Sequence, residues 1–175
     1  MNWSQYGSLS NDLDIIHQVS PNDVMPYEEN WLRACALNAK IFSTCSKRQY
    51  FAVVLAPNRR VAGIGYNGSP PGMAHCIDGA CPRAQEGSAP GSSYDNCISQ
   101  HAEQGALLWS DPSLRLGGTL IVNGPPCMTC AKLIASSGVR RVVHWDDSNY
   151  EGWPDVRKFL ISAGLDVISV PAIDT

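Results

Sequence analysis

Two short stretches of this chain hold residue types that can do metal chemistry. One is His101-Ala102-Glu103-Gln104, and the other is Pro125-Pro126-Cys127-Met128-Thr129-Cys130. One histidine and two cysteines can fill three corners of a tetrahedral zinc and leave the fourth for water. Water activated in that way is a nucleophile at neutral pH, its pKa lowered to roughly 7. Glu103 lies two residues from His101 but outside the ligand set, so it can take a proton from the water and pass protons onward. The alternative is a closed structural zinc, which calls for four protein ligands and often a second closely spaced pair. The first stretch supplies only His101, with acidic Glu103 beside it. A Cys-x-x-Cys alone is a weak signal; the joint pattern is far more specific.

The elements must bring these groups together with the thiols deprotonated. Positions i and i+3 share one helix face, and a helix start lowers thiol pKa through its dipole and free amides. Cys127 and Cys130 therefore fit the opening of a helix over 127–137, stopped at Gly138. His101 falls on a predicted helix over 97–109, ended by Asp111-Pro112. Apolar spacing predicts a further helix over 31–42, with Cys35 in the core and Glu28 and Glu29 at its positive end. Pro154 opens a helix over 154–163. Strands are expected at 50–55 and 61–66 as a hairpin, then at 117–123, 141–145 and 165–170. Strands alternating with helices in the second half imply parallel pairings. The expected fold class is α/β, a three-layer α/β/α sandwich with a central mixed sheet of about five strands. Residues 1–26, polar and carrying Pro21 and Pro26, read as an N-terminal extension in which Leu13, Ile15 and Ile16 could anchor a short element, with one domain over 27–175. The Gly-, Pro- and Ser-rich stretch 67–93 is long for a loop in a compact domain and carries His75, Cys76 and Cys81, which favours an ordered, metal-tied loop.

Composition narrows the function classes. The net charge of −3 and the absence of a long basic tract argue against a nucleic-acid partner and favour a small substrate. No apolar run approaches the roughly 20 residues of a membrane span, so no membrane association is expected. The first residues, Met1-Asn2-Trp3-Ser4-Gln5-Tyr6, show no signal-peptide pattern. The expected compartment is the cytoplasm, where seven cysteines serve as metal ligands or free thiols rather than disulfides. A non-catalytic, zinc-stabilised binding protein is the reading from a different class.

The His-x-Glu and Pro-Cys-x-x-Cys pair is the pattern of zinc-dependent nucleobase deaminases. The chain resembles the deoxycytidylate (dCMP) deaminases of the cytidine deaminase superfamily. The resemblance rests on Ser43-Thr44-Cys45, Gly65-Tyr66-Asn67-Gly68-Ser69-Pro70, His75-Cys76, Cys81, His101-Ala102-Glu103-Gln104 and Pro126-Cys127-Met128-Thr129-Cys130-Ala131-Lys132, within residues 30–150. It implies a cytidine deaminase-like fold and a zinc cofactor held by His101, Cys127 and Cys130. It also implies hydrolysis of the exocyclic amine of a pyrimidine nucleotide, dCMP giving dUMP and ammonia, with Glu103 as the proton shuttle. A homo-oligomer, often a hexamer, is implied too, in some members regulated by dCTP and dTTP.

Asn67 matches the family residue that helps hold the nucleotide, although Asn-Gly also makes a turn. Arg48 could face a phosphate or solvent. Tyr150 could cover the sugar or simply pack. Some members hold a second, structural zinc, for which Cys45, Cys76, Cys81 and Cys97 are available, with His75 as a substitute ligand. A metal clip would offset the entropy of ordering the loop; inert core cysteines are the alternative. Two departures bear on the substrate. Gly105 stands where the family usually has Asn, and Tyr50-Phe51-Ala52 where it usually has Val-Gly-Ala. Phe51 beside a base pocket would fill volume, which leaves a modified pyrimidine, a free nucleoside or another amino-heterocycle open.

Overall fold

A helix with proline in its first turn and a buried glutamate behind it opens the ordered body. In this computed structural model residues 23–88, 96–146 and 150–172 are described; residues 1–22 of the expected extension, with Leu13, Ile15, Ile16 and Pro21, lie outside them. Helix α1, Pro26–Phe42, begins before the 31–42 span because Pro26 fits the first turn, where no amide partner is needed. Glu28 closes that turn, accepting from the Met25 amide at 2.9 Å. Its carboxylate, 0% exposed, also accepts two bonds from the Arg141 guanidinium, at 2.7 and 2.9 Å. Removing one partner of such a buried pair leaves an uncompensated charge, so the pair pins α1 to the sheet.

The sheet has five strands: β1 (Phe51–Leu55), β2 (Val61–Tyr66), β3 (Thr119–Val122), β4 (Arg141–Trp145) and β5 (Asp166–Val170), in the order β2-β1-β3-β4-β5. β1 runs antiparallel to both β2 and β3, while β3, β4 and β5 are parallel, so the sheet is mixed. Between the hairpin and β3 come a 3₁₀ turn (Cys76–Asp78), short α2 (Pro82–Gln85), α3 (Ala102–Leu108) and short α4 (Pro112–Arg115). α5 (Met128–Ser136) links β3 to β4, and α6 (Trp153–Ser162) links β4 to β5.

Alternation along the strands divides the core in two. Phe51, Val53, Ile121, Val143 and Ile168 pack with Leu32, Cys35 and Ala39 of α1. Ala52, Val54, Leu120, Val122, Val142 and Val167 pack with Ala102 and Ala106 of α3, Ile134 of α5 and Leu160 of α6. The expected three-layer α/β/α sandwich is the fold.

The predicted helix over 97–109 is shorter than expected. Gly68 and Gln100 form an isolated antiparallel bridge, with bonds of 2.8 and 3.2 Å, which holds the approach to His101 extended. Only from Ala102 is the chain helical. α3 then lies unusually close to β2. A Cβ at Gly65 would stand 2.2 Å from the Ala102 carbonyl oxygen, and one at Gly63 would stand 2.5 Å from that of Ala106. Gly105 faces them, with the Gly65 Cα 3.3 Å from where its own Cβ would be. Glycine is needed here for approach, not for a special dihedral.

On the same side of the sheet, His144 is fully buried. Its Nε2 pairs with the Ser169 hydroxyl at 2.9 Å, its Nδ1 lies 2.7 Å from the Trp145 carbonyl, and its ring packs T-shaped against Trp153 with centroids 4.3 Å apart. Burial lowers its pKa to about 4.

Candidate metal centre

His101 and Cys127 occupy matching places, each the residue that caps a helix N-terminus, of α3 and α5 respectively. Gln104, three residues into the motif, reaches back so that its Oε1 accepts from the His101 amide at 2.8 Å. This is the returning arm of a capping box, a role that the three-residue spacing carries and that is separate from the metal motif. Cys130 sits one turn along α5 and is buried. The His101 Nδ1 lies 3.5 Å from the Cys127 Sγ and 3.4 Å from the Cys130 Sγ, and the three ligand atoms all lie within 4.8 Å of one another. With Zn–S near 2.3 Å and Zn–N near 2.1 Å, a tetrahedral edge between sulfur and nitrogen is about 3.6 Å. Two thiols and an imidazole on that edge length, with no carboxylate among them, fit zinc.

The electrostatics favour the ligand state at Cys127. The bond from Cys130 and then that from His101 bring its thiol down to about 4 against the opposing effect of burial. The same bond, with burial and the Glu103 charge, pushes Cys130 up. The bond to Cys127 raises His101, although burial and the Arg83 charge oppose it. Arg83, a buried cation on α2 close enough to influence His101, has no signal in sequence beyond its place in the loop. Glu103, 5% exposed in the first turn of α3, is bonded to the Cys130 side chain. Burial holds its carboxyl above the ordinary range, against the pull of His101.

The other expected site residues fall in different places. Asn67 is 6% exposed and its side chain binds the chain itself: Oδ1 accepts from the Ser43 hydroxyl at 2.6 Å and the Tyr50 amide at 2.7 Å, and Nδ2 donates to the Arg48 carbonyl at 2.7 Å. Arg48 is exposed, and its Nη1 donates to the Tyr50 hydroxyl at 3.2 Å. Tyr150 is half-buried, folded over Gly152 and packed against the α3 side of the core. Phe51 does not join the metal layer. It is 5% exposed and packs in the α1-side core, 6.2 Å from Phe42, so its volume fills that core rather than a pocket beside His101. Gly105 likewise backs onto β2. Neither departure from the family pattern argues for an unusual base.

The loop cysteines converge through Cys81, whose side chain bonds with those of Cys76 and Cys97, while Cys97 feels the Cys45 charge. Cys76 also lies 3.1 Å from the Ser46 hydroxyl. They are not drawn into a group as tight as His101, Cys127 and Cys130. The Nδ1 of His75 is buried without a hydrogen-bond partner.

A helix-capped His/Cys/Cys zinc set beside a buried carboxylate, on a mixed sheet with helices on both faces, defines a zinc-dependent deaminase. Residues 25–145 match the family described as the cytidine and deoxycytidylate deaminase zinc-binding region, and the chain belongs to that family, in its deoxycytidylate deaminase branch. It is 44% identical over 111 residues to the deoxycytidylate deaminase of Mycobacterium phage D29, which covers 61% of this chain and 84% of the phage protein. It is 34% identical over 135 residues to that of Schizosaccharomyces pombe, covering 76% of this chain but only 41% of the yeast protein. The crystal structure of dCMP deaminase from cyanophage S-TIM5, in complex with dCMP and dUMP, superposes with a TM-score of 0.65 at 26% identity, over 85% of this chain and all of that one. Among the described residues no helix is long and apolar enough to cross a membrane.

Proposed function

We propose that the chain converts dCMP and water to dUMP and ammonia, in the cytoplasm and as a homo-oligomer, through a domain over 27–175. The observation that carries this is the placing of Glu103: buried, bonded to the Cys130 side chain, and within the electrostatic reach of His101. His101, Cys127 and Cys130 would hold the zinc, which would supply the activation that makes water a nucleophile near neutral pH. Glu103 accepts the proton of that water and delivers protons to the ring nitrogen and to the departing amine. Asn67 sets the rim of the nucleotide site through its own backbone partners, Arg48 faces the phosphate, and Tyr150 lies toward the sugar. A second, structural zinc on Cys45, Cys76, Cys81 and Cys97 belongs to the same reading, supported by the contacts of Cys81 with Cys76 and Cys97 and by the influence of Cys45 on Cys97. Native mass spectrometry tests it, with two zinc ions per chain expected and one counting against it.

The enzymatic test is ammonia release from a panel of dCMP, CMP, dCTP, deoxycytidine and 5-substituted dCMP. dCMP is expected to have the highest kcat/KM. Turnover of another amine with none of dCMP would overturn the substrate assignment.

A further inference from the structure

Strand parity that turns Phe51 toward α1 turns its neighbour the other way. Tyr50 packs with the α3-side core that also takes Ala52 and Val54. Its ring lies against Gly124, where a Cβ would stand 2.4 Å from the Tyr50 Cε1 and 3.3 Å from its hydroxyl oxygen. No side chain fits between them, so ring and backbone form one wall. Gly124 is three residues before the zinc ligand Cys127. The phenol oxygen in turn accepts from the Arg48 guanidinium at 3.2 Å.

The segment carrying both residues is gripped from two sides. On the β2 side, Asn67 takes the Tyr50 amide and gives to the Arg48 carbonyl, both at 2.7 Å. On the β3 side, Asn123 takes the Phe51 amide at 2.7 Å and gives to the Gln49 carbonyl at 3.0 Å. Asn123 and Gly124 lead directly into the Cys127 loop. The position of Arg48 relative to the metal ligands is therefore set by a short, doubly anchored path, whose last link is the Tyr50 hydroxyl.

We propose that Tyr50 is a specificity-setting, positioning residue: its ring is the wall beside the Cys127 loop, and its hydroxyl aims the Arg48 guanidinium at the anionic end of a nucleotide. This rests on the nucleotide reading given above. Tyr50 acts through Arg48, so its signature is discrimination between a phosphorylated substrate and its nucleoside.

The test compares dCMP with deoxycytidine in the metal-loaded enzyme. Tyr50→Phe keeps the ring on Gly124 and deletes only the hydroxyl. The preference for dCMP over deoxycytidine is expected to fall about three- to tenfold, the range a single net hydrogen bond supports, with the loss in KM for dCMP. Arg48→Met is expected to lose more of that preference, and adding Tyr50→Phe to it to cost nothing further, since residues acting as a unit are not additive. Equal loss on both substrates, no loss, or full additivity with Arg48→Met overturns the role of Tyr50. A wild-type enzyme that releases ammonia from other amines but not from dCMP overturns the nucleotide reading and this proposal with it.

Discussion

On the α1 face of the sheet, Leu32, Cys35 and Ala39 close over Phe51, Val53 and Ile121, and the Glu28–Arg141 pair pins the helix in place. On the opposite face, the strands carry an equally apolar core, but the helices above it end in His101, Glu103 and Cys127. The sheet is common to both faces. The difference lies at the helix ends: α1 offers its first turn to a neighbouring side chain, whereas α3 and α5 offer theirs to one shared point. Buried apolar side chains are spread over both faces, and the group that fits zinc gathers at the N-terminal turns of one.

That contrast can be broken in order of expected effect. Cys127→Ala should remove one zinc equivalent per chain and all measurable ammonia release, since two protein ligands do not hold a catalytic zinc; metal analysis after gel filtration reads it directly. Glu103→Gln should retain zinc yet lower kcat by about 10²- to 10⁴-fold, the range for a positioned acid–base group. Normal turnover in a zinc-loaded Gln variant would end the proton-shuttle role. Phe51→Ala should cost about 3–5 kcal/mol of unfolding free energy by leaving a cavity under α1, with KM for dCMP held near wild type. A large KM change at full stability would instead put Phe51 back beside the substrate.

The smallest effect concerns His144. Its folded pKa of about 4 lies below the ordinary histidine value. Above pH ~6.5 both folded and unfolded forms are neutral and stability is complete. As pH falls from there toward 4, the unfolded chain takes the proton first, and about 3 kcal/mol is lost across the window. Denaturant melts at pH 7 and 5 should show a shallower decline for His144→Gln than for wild type.

The metal set was legible because its spacing is local: i and i+3 on a helix face, and a His-x-Glu at another helix start. The parallel pairing of β3, β4 and β5 followed from strands alternating with helices. Which face Phe51 served was not legible. β1 is buried along its whole length, and a strand covered on both sides reads as a continuous apolar run with no polar phase to orient it. The late start of α3 depended on the Gly68–Gln100 bridge, a pairing 32 residues apart that local propensity does not see. The same holds for Asn123, whose partners Gln49 and Phe51 lie more than seventy residues away.

The contact between α3 and β2 through Gly63, Gly65 and Gly105 has a consequence for redesign. Because the closest atoms there are backbone carbonyl and amide groups of α3, a methyl added at Gly63 or Gly65 can be relieved only by moving that helix, whose first turn bears Glu103 and follows His101. Redesign for a bulkier base should therefore leave that seam untouched.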